Sequence, residues 1–256
     1  MYNTTQQPLI SIITIVYNSK DDLEKTIQSV LNQKYKNIEY IIIDGGSTDG
    51  TLDIIDKYKK QLNIIVSEPD NGIYDAMNKG LKHISGQWVN FLNAGDLYYD
   101  DQTLNNIFHN LKKDTKLIYG DWINTNNKGL NRYIEANPYI NLKTLRSNFF
   151  MNHQSLFVDS DYIVEYDTTY RIKADYQWII DIVKKLNSSN ILYINKALVL
   201  YDLDGLSAKL LLTNMKEYIK LTYKNFGKIQ VIKNSPTYSK YVIKYILYKL
   251  GRKVSW

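Results

Sequence analysis

Four apolar runs alternate with amphipathic segments across the first hundred residues, and that alternation leaves few folds open. Leu9 to Val16 is a β-branched run bounded by Pro8 and Asn18, and Asp21 to Gln33 follows with Leu23, Ile27, Val30 and Leu31 at helical spacing. The pattern then repeats. Ile38 to Ile43 reads as a strand, Thr51 to Tyr58 as a helix, Ile64 to Val66 as a short strand, Tyr74 to His83 as a helix and Gln87 to Leu92 as a fourth strand. Continuous apolar strands separated by amphipathic helices predict an α/β fold, a parallel sheet covered on both faces. Such sheets bind ligands outside the carboxyl ends of their strands, so three polar strand exits carry the functional interest.

The exits are Tyr17-Asn18, Asp44-Gly45-Gly46-Ser47-Thr48-Asp49-Gly50 and Asn93-Ala94-Gly95-Asp96. In the second, the glycines permit positive φ and close approach of a ligand, while Thr48 or Asp49 can cap the next helix. Asp44, directly after three isoleucines, can accept a hydrogen bond from a base N–H. The loop lacks Gly-x-Gly-x-x-Gly and has no Gly-Lys-Ser/Thr, so it is neither a dinucleotide fingerprint nor a P-loop. In the third exit the single carboxylate of Asp96 suits a divalent ion carried in on a phosphorylated ligand, because Mg²⁺ and Mn²⁺ prefer oxygen and share it with phosphates. Read alone, Asn93 to Asp96 is only a plausible turn.

Composition narrows the chemistry further. The 256 residues, 44% hydrophobic, suffice for a sizeable core, and the absence of Cys rules out disulfides, zinc-thiolate sites and a cysteine nucleophile. Met1 to Pro8 has no secretory pattern, and no run approaches the roughly 20 apolar residues of a membrane span, so a cytoplasmic location is expected. The net charge of +6 is modest, but after Lys209 basic residues greatly outnumber acids. In Tyr238 to Lys253 the residues Val242, Ile243, Ile246, Leu247 and Leu250 fall on one helical face, with Lys240, Lys244, Tyr241, Tyr245 and Tyr248 on the rest. That pattern suits an interfacial helix on anionic lipid, or a stripe docking on the chain's own body or on another subunit of a homo-oligomer. Nucleic acid is a poor partner, since no recognised binding motif accompanies the basic residues.

The central chain adds a second group of candidates. Leu117 to Trp122 reads as a strand carrying Tyr119-Gly120-Asp121. Asn152-His153-Gln154-Ser155-Leu156-Phe157-Val158 joins a polar head to an apolar strand, and Ala174-Asp175-Tyr176-Gln177-Trp178 opens an amphipathic helix. Asp175 in the first turn is already favourable to the helix dipole. Asn190 to Leu203 is expected to be a strand, Asp204-Gly205-Leu206-Ser207 a loop and Leu210 to Phe226 a helix, with Gly227 and Pro236 marking a linker.

Taken together, Ile10 to Asn18, Ser29-Val30-Leu31-Asn32-Gln33, Ile41 to Thr51, the run Ser67-Glu68-Pro69-Asp70-Asn71-Gly72-Ile73-Tyr74-Asp75-Ala76-Met77-Asn78-Lys79-Gly80, and Gly86 to Asp96 resemble family 2 glycosyltransferases of the GT-A fold. The likeness is to the branch that builds bacterial exopolysaccharide, capsule and O-antigen units. It covers about residues 9 to 207.

The resemblance implies a GT-A catalytic domain over 1–207, with a donor half at about 9–100, an acceptor half at about 101–207 and a helical basic extension over 208–256. It assigns Tyr17, Asn18, Asp44 and Gly45 to the base of a nucleotide sugar, and Asp70, Tyr74, Asn78 and Lys79 to the ribose and diphosphate side. Asn93, Ala94 and Gly95 would border the donor, and Asp96 would hold Mg²⁺ or Mn²⁺. Family members often carry Asp-x-Asp there; Asn93 and Gly95 stand where carboxylates are frequent, which predicts a weaker metal site, with metal-independent catalysis as the alternative. Asp175 corresponds to the catalytic base of inverting members, and His153, Gln154 and Asp121 to weaker acceptor- or sugar-side positions. The implied partners are a nucleotide-sugar donor, UDP-linked in the first instance, and a polyprenyl-diphosphate-linked glycan acceptor, which would give the Tyr238–Lys253 helix a membrane surface to sit on. A nucleotidyltransferase of the same broad fold and a catalytically silent nucleotide-sugar-binding subunit are the competing readings. The first lacks a basic Gly-rich triphosphate loop after the first strand.

Overall fold

A computed structural model of the chain describes residues 7–109, 111–126, 128–147, 151–203 and 210–249. The alternation read from the sequence runs through β1 (Ile10–Val16), α1 (Lys20–Leu31), β2 (Ile38–Asp44), α2 (Thr51–Tyr58), β3 (Ile64–Ser67), α3 (Ile73–Leu81) and β4 (Trp88–Phe91). Every residue of β1 is buried, as a strand covered on both faces requires. β3, β2, β1 and β4 lie side by side in that order, all parallel, so the exits from β1, β2 and β4 open on one edge.

The remainder departs from the expected parallel sheet. β5 (Leu97–Tyr98), α4 (Thr103–Phe108), β6 (Leu117–Thr125), β7 (Asn131–Ile134), α5 (Leu142–Leu145), β8 (Leu156–Asp159), α6 (Ala174–Val183) and β9 (Ile191–Asp202) follow. β8 is inserted antiparallel between β4 and β6, β9 runs parallel to β6, and β5 pairs antiparallel with β9. The described residues thus form one nine-stranded mixed sheet. Buried Asn90 ties its two halves: its amide donates to the carbonyls of Gln154 and Leu156 at 2.9 and 2.6 Å, and its oxygen accepts from the Tyr98 hydroxyl at 2.8 Å.

Two C-terminal helices complete the chain, α7 (Leu211–Lys233) and α8 (Ser235–Lys249). The linker expected from Gly227 to Pro236 is helical instead. Gly227 makes a kink at φ 79°, after which the helix resumes, and Pro236 sits in the opening turn of α8, where its missing N–H has no helical partner to lose. Tyr218, Leu221 and Tyr238 are buried in the common core, and the Tyr218 ring packs edge-on against both Tyr176 and Tyr238. On the outer side Ile229, Ile232, Val242, Ile243 and Ile246 are exposed, whereas Tyr241 packs inward. No described helix is long and apolar enough to cross a membrane. The expected loop Asp204 to Ser207, the boundary at 207 and the segment from Leu250 to Lys253 lie outside the described residues.

Candidate active site

The strand exits converge with the head of β8 and the start of α6 on one cleft of about 950 Å³. Of the expected residues, Tyr17, Asn18, Asp70, Tyr74, Asn93, Ala94, Asp96, His153, Gln154 and Asp175 line it. A smaller depression of about 360 Å³, between Ile140 and Ile191, lies away from all of them.

Tyr17, directly after β1, is 64% exposed and offers a ring face at the cleft mouth. Asn18 holds the left-handed conformation at φ 49°, and its side chain accepts from Thr48 N–H at 2.8 Å while its own N–H donates to Ser47 Oγ at 2.8 Å. The first exit is thereby fastened to the second.

Asp44, expected to meet the base, is not among the residues that line the cleft. It is fully buried and accepts from Gly46 N–H, Ser47 N–H and Ser67 Oγ, the last at 2.7 Å, so that its charge is spent holding its own loop. The acid that reaches the cleft beside this loop is Asp70. A Cβ on Gly45 would collide with the Asp70 carboxylate; Gly45 contributes space rather than contact. Asn78 is also turned to structure, bonding Tyr166 N–H and C=O at 2.7 and 2.9 Å. Lys79 donates to Pro69 C=O at 2.7 Å and pairs with Glu68 at 2.9 Å, bracing the Asp70 loop from outside.

At the third exit Gly95 has φ +102° and its N–H donates to Thr26 Oγ1. Asp96 is 4% exposed. Its Oδ1 accepts from the main-chain N–H of Asp202 at 3.0 Å, and its carboxyl is pushed well above the ordinary range, by burial first and then by the neighbouring Asp202 charge. Around it, Asn93 Oδ1 and Gln154 Oε1 are buried and find no hydrogen-bond partner. Among the described residues no three acidic or histidine side chains form a metal cage. The donor set nevertheless fits a hard divalent ion: a carboxylate whose ionisation is costly without a cation, and amide oxygens left unsatisfied in the same cleft.

Across the cleft, Asp175 lies in the first turn of α6, its side chain 15% exposed. Its Oδ1 accepts from Tyr176 N–H at 2.8 Å and from the Tyr74 hydroxyl at 3.3 Å, and its Oδ2 faces His153 Nδ1 at 3.7 Å. Burial pushes this carboxyl up, but the His153 imidazole, the Lys173 charge and the Tyr176 N–H together outweigh burial and hold it below its ordinary value. His153 Nε2 is buried with no partner. An ionised carboxylate backed by a histidine and open to a cleft can take a proton from a bound hydroxyl.

Asp121 is elsewhere. It is fully buried behind β6, accepting from the hydroxyls of Tyr133 and Tyr193 and from Ala136 N–H at 2.6–2.8 Å, and takes no part in the cleft. Sequence reasoning missed Trp122, Asn124, Arg171, Lys173, Asp202 and Asn214, all of which line it. Only the Arg171-Ile172-Lys173 run just before Asp175 carried a readable signal, as cations beside an expected acid.

The model of the family described as glycosyl transferase family 2 matches residues 11–177. An uncharacterized glycosyltransferase of Mycobacterium tuberculosis is 32% identical over 181 residues, 69% of this chain and 69% of that protein. TuaG of Bacillus subtilis, named for teichuronic acid biosynthesis, is 39% identical over 102 residues, which is 39% of this chain but only 40% of that one. Among solved structures, residues 1–349 of S. aureus TarS in complex with UDP-GlcNAc align with a TM-score of 0.67 at 18% identity, over 88% of this chain and 69% of that one. The mannosyltransferase PcManGT from Pyrobaculum calidifontis, in complex with GDP-Man and Mn²⁺, aligns at 0.63 and 16% identity, over 84% and 63%. These structural likenesses carry the fold, a GT-A fold with a helical C-terminal region. By its match to the family model and to a relative aligned over more than two thirds of both proteins, this chain belongs to glycosyl transferase family 2.

Proposed function

We propose that the cleft is the active site of an inverting glycosyltransferase that moves a sugar from a nucleotide diphosphate sugar to a hydroxyl of a lipid-linked glycan in bacterial surface polysaccharide synthesis. The observation that carries this reading is the pairing, across one cleft, of a buried acid with unsatisfied oxygens at Asp96 and an acid held ionised at Asp175. Tyr17 and Asp70 would receive the base and ribose, and Arg171 and Lys173 the diphosphate charge. Asp96, with the amide oxygens of Asn93 and Gln154, would hold Mg²⁺ or Mn²⁺. The cation supplies neutralising charge for the leaving diphosphate.

Asp175 would take the proton from the acceptor hydroxyl as that oxygen bonds to the anomeric carbon. The bond from that carbon to the diphosphate breaks, and its electron pair leaves with the nucleoside diphosphate. Single displacement inverts the centre, so an α-linked donor gives a β-linkage. UDP sugars are the first donors to test, because TarS is solved with UDP-GlcNAc and TuaG is named for a wall polymer. Support for a membrane-bound acceptor comes from the exposed apolar residues of α7 and α8, interspersed with exposed Lys228, Lys233 and Lys240.

The test is a screen of nucleotide sugars with Mn²⁺, scored by thermal stabilisation and then by nucleoside diphosphate release. Full turnover by Asp175→Asn would sink the assignment of the base. Donor binding without transfer to lipid-linked acceptor or water would favour a silent binding subunit.

A further inference from the structure

The turn Asn93–Asp96 carries a single carboxylate, but the sheet brings a second to it. In the antiparallel pairing of β5 with β9, Leu97 faces Leu200 and Tyr98 faces Val199, so the chain leaving β9 runs back along the turn that enters β5. Asp202 therefore arrives beside Gly95 and Asp96. Its N–H donates to Asp96 Oδ1 at 3.0 Å, and a Cβ added to Gly95 would come within 3.5 Å of Asp202 Oδ2. Both acids line the cleft. An independent sign of a missing ligand stands next to them. Gln154 lines the same cleft, is 3% exposed, and its Oε1 has no partner.

We propose that Asp202 is the second anionic ligand of the divalent cation that arrives with the donor diphosphate at Asp96. It supplies the charge that Asn93 and Gly95 do not. A buried carboxylate with a second acid beside it is well placed to share a cation, and Mg²⁺ or Mn²⁺ needs oxygens of the kind that Asp96, Asp202 and Gln154 present. Among the described residues no three acidic or histidine side chains form a metal cage, so diphosphate oxygens must complete the coordination and the ion binds tightly only in the nucleotide's presence. The proposal rests on reading this cleft as the donor site.

The experiment measures free Mn²⁺ by electron paramagnetic resonance in titrations of the full chain, with and without whichever of UDP and GDP binds more tightly. Calorimetry of the same nucleotide in EDTA runs in parallel. Expected for the wild type is weak Mn²⁺ binding alone and strong binding with nucleotide. Asp202→Asn should weaken the nucleotide-dependent Mn²⁺ affinity about tenfold or more, with nucleotide affinity in EDTA within about twofold of wild type. Asp202→Glu should recover part of the loss. The bond to Asp96 comes from the main chain, so Asp202→Asn keeps it; Asp202→Ser provides a second carboxylate-free variant should Asp202→Asn fail to fold. Wild-type Mn²⁺ affinity in either folded variant, or no nucleotide-dependent Mn²⁺ binding by the wild type, overturns the proposal. Failure of the donor-site reading looks different: neither nucleotide binds even in EDTA.

Discussion

Glu217 offers the sharpest test of how the C-terminal helices bear on the site. Its carboxylate, on α7, accepts from the main-chain N–H groups of Arg171, Ile172 and Lys173 at 2.8, 2.9 and 3.0 Å. Lys173, the residue before α6, provides no side-chain cap, and Glu217 instead holds the main chain that leads into the helix. The same segment is tied to the donor side, because Ile172 C=O accepts from the Tyr74 hydroxyl at 2.7 Å. Replacing Glu217 with Ala removes the acceptor from all three donors. Arg171 is exposed, so water replaces one bond, while Ile172 is buried and Lys173 half-buried. Two hydrogen bonds to a charged acceptor, at about 1.5–2 kcal/mol each in a partly solvated place, amount to about 3–4 kcal/mol. For a chain of this size that is a fall in Tm of roughly 6–16 °C.

The predicted kinetic signature separates positioning from general damage. Below the variant's melting range, Glu217→Ala should lower kcat for nucleoside diphosphate release by about tenfold or more, since small displacements of a catalytic group are costly. Donor affinity by calorimetry should fall by a smaller factor than kcat, because Arg171 and Lys173 lose support for the diphosphate while Tyr17, Asp70 and Asp96 stand on other elements. Glu217→Gln, which keeps one oxygen, should fall between the two. A Glu217→Ala protein melting within about 1 °C of wild type, or losing donor affinity in step with kcat, would refute the reasoning.

Three further outcomes are expected. The Asp175 carboxyl lies below its unfolded value, so its ionised form adds stability above the unfolded pKa, and that contribution is lost only as pH falls through the lower folded value. The acid limb of the kcat–pH profile should accordingly lie below the usual carboxylate range of about 4, and His153→Gln, which removes an influence opposing burial, should move it upward; an unmoved limb would detach His153 from the base. Gly45→Ala should weaken nucleotide binding about tenfold by displacing Asp70 while shifting Tm by no more than about 3 °C, measured by calorimetry and thermal melts. Ile243→Asp with Ile246→Asp should abolish co-flotation with anionic lipid vesicles and leave donor hydrolysis unchanged, both side chains being half exposed on α8.

The donor half of the fold was legible because each of its strands is a continuous apolar run and each helix an amphipathic one, so period and burial pointed the same way. In the second half the longer strands, the helix at Ala174 and the helix from Leu211 were legible as elements, but the short strands and the mixed arrangement were not, for a physical reason. β5 is two residues long and β7 four, too short for a period to register, and both are fixed by partners distant in sequence. The antiparallel entry of β8 between β4 and β6 leaves no local mark either; its evidence is Asn90, a polar residue in a buried strand whose amide reaches the Gln154 and Leu156 carbonyls. Gly227 and Pro236 misled because both residue types usually break helices. Here the kink absorbs the positive φ, and the proline stands where a helix tolerates it.

The site follows a rule that explains which motif residues point at a ligand. Where an acid ends a buried strand, its loop's own donors are the nearest available, and Asp44 is consumed by Gly46, Ser47 and Ser67. At Gly45 the missing side chain leaves the space that admits the carboxylate of Asp70, whereas Gly95 is needed for its positive φ and the Asp202 carboxylate stands beside it at ordinary contact distance. In both places a motif legible in the sequence meets an acid delivered by another element, from the loop after β3 in one case and from the end of β9 in the other. The two arrangements differ in one respect that bears on chemistry. Asp70 is fixed by a local turn, its Oδ1 accepting from Gly72 N–H at 2.8 Å, so it is formed before any ligand arrives. Asp202, half-buried, is brought against the buried acid Asp96, a pairing that a bound cation would favour. Donor recognition at the Tyr17 end can therefore be preformed, while the diphosphate end gains most of its stability on loading, which favours binding the nucleotide and the ion together over binding either alone.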